Sequence, residues 1–278
     1  MPILRIIGGI IGMAIAAALF ASAALVTVAS ADALEDIKAR GTLIVGVKAD
    51  YKPFGFRDPS GAIIGLEPDL AADVASKLGV KLELVPVVSA NRMEFLNQGK
   101  IDLMIATMSD KPERRKIVQV IEPLYYSDAI NVLLRKDAPV GSWSDLKGKK
   151  LCGTTGAFSS KVIAQQYGAE IASFDGSEMP LLALKNGDCI GYLFDQTFIV
   201  GKLDDNDWKD GYHMPLPGIM ETPWAIAVKL GEINFRKFME DIHKDWMKSG
   251  RIMELEKKWH VPPTDYARRM HEMTKSGR

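Results

Sequence analysis

Short apolar runs alternate with glycine-stopped helical segments along most of this chain. That alternation limits it to sheets with helices packed on their faces. Leu43-Ile44-Val45-Gly46-Val47 reads as a buried strand. The spacing predicts a helix over 67–78, with Pro68 in its first turn, Leu70, Ala71, Val74, Ala75 and Leu78 on one face, and Gly79 as its stop. Residues 81–87 return as a strand, 91–98 read as a helix ended by Gly99, and 101–105 as a strand. Upstream, residues 36–40 end a short helix at Gly41, and Asp58-Pro59-Ser60-Gly61 marks a turn inside a hairpin over 54–64. A second set follows 131–136, with segments at 144–146, 150–153, 159–167, 170–174, 177–186 and 190–194. A strand at 222–228 and amphipathic helices around 235–248 and 252–259 close the pattern. Two such units imply two lobes, with a ligand cleft outside the carboxyl ends of their strands.

The first 31 residues stand apart. Met1-Pro2-Ile3-Leu4-Arg5 is basic, an uncharged apolar run extends to about Ala29, and Ala29-Ser30-Ala31 is small. This describes a secretory signal over 1–31, cleaved after Ala31 or Ala33, with an uncleaved anchor as the alternative. About 247 residues remain, enough for one large or two small domains. Lys and Arg number 35, as do Asp and Glu, and no long basic block occurs. Nucleic-acid binding is therefore disfavoured. Four histidines and two cysteines show no metal-ligand spacing, so no metal is expected. Cys152 and Cys189 precede or lie in strand-like segments; in an oxidising compartment they either pair or remain buried thiols.

Two arginines stand out as carboxylate clamps. Ser89-Ala90-Asn91-Arg92 and Ser109-Asp110-Lys111-Pro112-Glu113-Arg114 each set an arginine just inside a predicted helix, near a hydroxyl side chain. A guanidinium fork grips a carboxylate through paired charged hydrogen bonds, and a helix N-terminus adds free N–H groups. Solvated alternatives exist: Arg114 could pair with Glu113 or Asp110, and Arg92 could lie along an exposed helix face.

In order, the chain also carries Tyr51-Lys52-Pro53-Phe54-Gly55-Phe56, Gly65-Leu66-Glu67-Pro68-Asp69, Gly99-Lys100-Ile101-Asp102, Pro123-Leu124-Tyr125-Tyr126-Ser127, Gly153-Thr154-Thr155-Gly156 and Asp195. The ordered set, over about 41–259, resembles the polar amino-acid substrate-binding proteins of ABC transporters, bacterial extracellular solute-binding family 3. The resemblance implies a two-lobed α/β periplasmic-binding-protein fold of type II, joined by two hinge strands. It implies a discontinuous first lobe at 35–130 and 222–278 and a second at 131–221. It further implies a periplasmic monomer, without cofactor, that closes on a free amino acid and delivers it to an ABC permease.

By the same resemblance, Arg114 holds the ligand α-carboxylate, with Ser109 as hydroxyl neighbour and the Thr107 backbone alongside. Thr154 and Ser159 contribute from the second lobe, and Asp195 receives the α-ammonium. Tyr51 and Phe54 form aromatic walls, with core packing as the alternative for Phe54. Met108 lines the cleft or packs. Lys48, Ser89 and Arg92 resemble the glutamate/aspartate binders, so an acidic or polar ligand is expected. Phe158 stands where a small or hydroxyl residue is usual and reshapes one wall. A minority of this fold are periplasmic dehydratases for prephenate- or arogenate-like compounds. That is the alternative reading, with Glu67 or Asp195 as general acid; a ligand-sensing module is a third.

Overall fold

The structure, a computed structural model, describes residues 32–277; the expected signal over 1–31 lies outside them. Among the described residues no helix is long and apolar enough to cross a membrane.

Helix α1 (Ala33–Arg40) begins under the Asp32 side chain, which accepts from the Leu34 N–H at 3.0 Å, and stops at left-handed Gly41. Strand β1 (Thr42–Val47) follows. A small antiparallel sheet comes next, from β2 (Asp50–Tyr51), β3 (Gly55–Arg57) and β4 (Ile63–Ile64). Helix α2 (Leu66–Leu78) buries Leu70, Ala71, Val74 and Ala75, the face its periodicity predicts. Then come β5 (Lys81–Pro86), α3 (Arg92–Asn97), β6 (Leu103–Ser109), α4 (Pro112–Arg115), β7 (Gln119–Val120) and the long β8 (Tyr126–Arg135). The second lobe holds β9 (Lys150–Thr154), α5 (Phe158–Tyr167), β10 (Glu170–Phe174), α6 (Glu178–Lys185), β11 (Gly191–Asp195), α7 (Gln196–Leu203), α8 (Asn206–Lys209) and β12 (Tyr212–His213). The chain returns along β13 (Ile219–Val228) and finishes in α9 (Ile233–Ser249), α10 (Arg251–Lys258) and α11 (Asp265–Lys275).

The main sheet runs β10-β9-β11-β8-β13-β6-β1-β5. β1 is parallel to both β5 and β6, and β9 is parallel to both β10 and β11. Between these parallel halves, β8 and β13 pair antiparallel with each other and with their outer neighbours. They are the two hinge strands of a two-lobed α/β fold. Strand β6 begins later and runs farther than the apolar run at 101–105 suggested, carrying Thr107, Met108 and Ser109 to its end. Helix α11 was not anticipated; much of its surface is exposed, and only Ala267 is buried.

Trp224, on β13, is fully buried at the meeting of the lobes. Its ring lies 4.9 Å from Phe54, 5.2 Å from Tyr126 and 6.1 Å from Tyr51, in edge-on or tilted contacts that favour aromatic packing. In the second lobe a disulfide joins Cys152 on β9 to Cys189 just before β11, with their Cα atoms 5.6 Å apart. The pairing fits the parallel register of those strands, in which Tyr192 stands opposite Cys152.

This bond closes a loop of sequence separation 37, and its loss releases that loop in the unfolded chain. The double variant Cys152→Ala/Cys189→Ala is expected to lose roughly 2–4 kcal/mol of stability in denaturant unfolding. A loss near zero would mean that the strand pairing alone orders this segment.

Candidate functional site

A narrow enclosed cavity lies where the carboxyl end of β6 and the segment from β5 to α3 face the end of β11 and the start of α5. Ser89, Arg92, Thr107, Ser109, Ser159 and Asp195 line it, together with Ile130, Ala157, Phe158, Phe194 and Thr222. Six of the twelve residues singled out from the sequence thus meet on one cavity. It has room for little more than one water molecule, about 10 Å³. An amino-acid-sized solute would therefore enter only if the lobes part.

Arg92 opens α3 and is 2 % exposed. Its Nη1 donates to the Ala106 carbonyl, while its Nε is buried without a partner. Burial, and then the neighbouring Arg114 charge, push its guanidinium down to about 9. Arg114 sits in α4, whose first helical residue is Pro112. Its Nη1 donates to the Ser109 carbonyl at 2.8 Å and its Nη2 reaches across the cleft to the Gly156 carbonyl at 3.0 Å. It is buried rather than paired with Glu113 or Asp110 on the surface. Arg115 takes the Asp110 carboxylate instead, at 2.6 Å and 2.7 Å.

The opposing charge comes from Asp195. It occupies the N-cap position of α7 but makes no capping hydrogen bond. Its Oδ2 accepts from Tyr51 Oη at 2.9 Å, across the lobes. Burial raises its carboxyl, while the Tyr51 hydrogen bond and the Arg92, Lys48 and Arg114 charges oppose that rise. On α5, the N-cap Ala157 has no capping side chain, so the first turn presents N–H groups beside the cavity. Ser159 Oγ lies there buried and unpartnered.

Thr107 has a left-handed backbone, with φ 48°. A β-branched residue adopts this only when its surroundings impose it. The restraint is Glu67, fully buried in the first turn of α2, whose Oε1 accepts from the Thr107 N–H at 2.7 Å and from Tyr125 Oη. Its Oε2 has no hydrogen-bond partner.

The other predicted residues lie around the cavity rather than on it. Lys48 is fully buried with Nζ 3.1 Å from Asp50 Oδ1, an ion pair whose angles do not form a hydrogen bond. Asp50 Oδ2 in turn accepts from the Ser177 N–H of the second lobe at 2.6 Å. Tyr51 and Phe54 belong to the aromatic core, and Met108 packs in the first lobe with Val87 and Leu96. Thr154 Oγ1 donates to the Gly176 carbonyl at 3.1 Å and lies 2.8 Å from Tyr192 Oη. Phe158 lines the cavity, and Lys111 of the first lobe sits 3.7 Å from its ring centroid, a cation–π contact between lobes. Sequence reasoning missed Asp50, whose only signal is its place two residues after Lys48. It also missed Asp128, hidden beside the tyrosine pair.

Burial pushes the Glu67 carboxyl from 4.5 up to about 7. A raised carboxyl favours folding below the unfolded value, and that contribution is lost as pH rises through about 7. Wild-type stability should thus fall between pH 4.5 and 8 by roughly 3 kcal/mol more than that of Glu67→Gln, in paired denaturant titrations. Parallel pH profiles would refute it.

Residues 43–262 match the family described as bacterial extracellular solute-binding proteins, family 3. The chain is 30 % identical over 234 residues to the ABC transporter glutamine-binding protein GlnH of Bacillus subtilis (strain 168), covering 82 % of this chain and 84 % of that protein. Its fold is similar to the cysteine-binding protein from Campylobacter jejuni, with TM-score 0.78 and 25 % identity, covering 85 % of this chain and 97 % of that one. It is also similar to the ancestral amino acid-binding protein AncCDT-1, described as a precursor of cyclohexadienyl dehydratase, with TM-score 0.73 and 28 % identity over 81 % of this chain and 98 % of that one. The chain belongs to the bacterial extracellular solute-binding proteins, family 3.

Proposed function

We propose that this protein captures a free α-amino acid between its lobes, outside the cytoplasm, and hands it to an ABC permease. One observation carries the reading: charges of both signs meet on one enclosed cavity, Arg92 from the first lobe and Asp195 from the second, with the buried Arg114 beside it bridging to the Gly156 carbonyl. A zwitterion needs such a fixed pair, and an unmatched ligand charge would be left desolvated. Arg114 takes the α-carboxylate, helped by Ser109, Ser159 and the N–H groups of α5. Asp195 takes the α-ammonium in place of, or beside, Tyr51. We assign 35–130 and 222–278 to the first lobe and 131–221 to the second.

For the ligand side chain, the acidic preference rests on Arg92, because Asp50 already neutralises Lys48. A polar or acidic amino acid, glutamine or glutamate in kind, fits a cavity walled by hydroxyls and one guanidinium. Relatives named for glutamine support the polar end. The dehydratase reading draws on one observation, the buried and elevated Glu67 carboxyl. Glu67 is nevertheless tied to Thr107 and Tyr125 rather than facing the cavity.

Calorimetric titration with L-glutamine and L-glutamate tests both levels. Arg114→Ala should weaken either ligand by about 2–5 kcal/mol without unfolding the protein; unchanged affinity would refute the clamp. Arg92→Ala should cost glutamate about tenfold more than glutamine, and equal losses would remove the acidic preference. Formation of phenylpyruvate or phenylalanine from prephenate or arogenate would replace the binding reading with the enzymatic one.

A further inference from the structure

Helix α7 poses a problem of competing hydrogen bonds. Its first-turn N–H groups need acceptors, and an aspartate at the N-cap is among the best suppliers. Asp195 holds that position with ordinary N-cap dihedrals, φ −71° and ψ 138°, yet caps nothing. The acceptor comes from elsewhere. Asp128, on hinge strand β8, accepts from the Thr197 N–H through Oδ2 at 3.0 Å. Its Oδ1 is steadied by the Ala129 N–H at 2.7 Å, and its carbonyl accepts from Thr222 Oγ1 at 3.0 Å. Thr222 is its register partner on β13, the other hinge strand. Both ends of this residue are therefore fixed before it meets α7.

The arrangement costs something, which argues that it has a use. Burial, and then the nearby Asp195 charge, push the Asp128 carboxyl upward. A lone Asp195 capping its own helix would avoid that repulsion. It would also turn its carboxylate back over the Thr197 N–H and away from Tyr51 and the cavity.

We propose that Asp128 is a positioning residue that caps α7 in place of Asp195, leaving the Asp195 carboxylate free to face a cationic group in the cleft. This rests on the reading of Asp195 as the ammonium partner. It ties that group to the hinge strands, since the cap is carried by β8 and locked to β13.

The test combines a structural and a functional measurement. In a crystal structure of Asp128→Ala, Asp195 should leave Tyr51 Oη and accept from the Thr197 N–H at about 3 Å. Asp195 still on Tyr51 would overturn the proposal. In calorimetry with L-glutamine and L-glutamate, Asp128→Ala should weaken the ligand that binds by about tenfold or more. Asp128→Asn, whose side-chain oxygen still accepts from Thr197, should stay within about threefold. In the Asp195→Asn background, Asp128→Ala should cost nothing further; an additive loss would mean that Asp128 acts independently of Asp195. Should Asp128→Ala fail to fold, the Asn variant carries the test alone, and a tenfold loss there overturns the capping role. Wild-type affinity in Asp195→Asn would refute the ligand role of Asp195, while the crystallographic position of its carboxylate still decides the positioning claim.

Discussion

Desolvated charge at the lobe junction is the constraint around which this protein is organised. Lys48, Arg92 and Arg114 are buried there, with Glu67 and the acidic Asp50, Asp128 and Asp195 set against them. A buried charge without a partner costs several kcal/mol, so each must be answered from a fixed place. The answers come largely from backbone and from the facing lobe. Arg114 reaches the Gly156 carbonyl, Tyr51 donates to Asp195, and Asp50 takes the Ser177 N–H. Any opening of the cleft must break these three contacts together. A ligand able to replace them would therefore shift the balance between open and closed forms, as differential binding requires.

The hinge strands supply the second half of that coupling. β8 and β13 are the antiparallel pair through which the two parallel half-sheets join, and the buried Trp224 of β13 packs there on Tyr51, Phe54 and Tyr126. The cleft groups lie close along these strands: Thr222 on β13, Ile130 on β8 and Asp195 on the β11 strand paired to β8. Motion about the hinge and rearrangement of the site are thus mechanically close. In the second lobe the disulfide ties β9 to the approach of β11. That lobe is better suited to move as one body than to deform around a solute.

Much of this was legible in the residues. Glycine stops and apolar periodicity placed α1, α2 and β1, and the ordered motifs placed the hinge and the two arginines. The cavity residues Ser89, Arg92, Thr107, Ser109, Ser159 and Asp195 were all anticipated. What escaped has a common physical origin. The burial of Lys48 by Asp50, the capping of α7 by Asp128 and the restraint of Thr107 by Glu67 are side-chain choices between partners distant in sequence. Local pattern shows that a residue can cap or pair, but not which rival does so. Helix α11 escaped for a different reason: its apolar stripe, Tyr266, Ala267, Met270 and Met273, is short and interleaved with charged residues near the chain's end, and sequence reasoning passed over it.

Gly156 and Gly176 belong to the second lobe and press against the first. A β-carbon on Gly156 would stand 2.8 Å from the Ser89 carbonyl carbon, and one on Gly176 would stand 2.9 Å from Asp50 Oδ2. Neither encounter is with a flexible chain end that could easily yield, for one is backbone and the other is a carboxylate held by the Ser177 N–H. The depth to which the jaws can meet is therefore set by two absent methyl groups. A single added carbon there would act as a doorstop, changing how far the jaws shut, and would also strain the left-handed backbone that both glycines adopt.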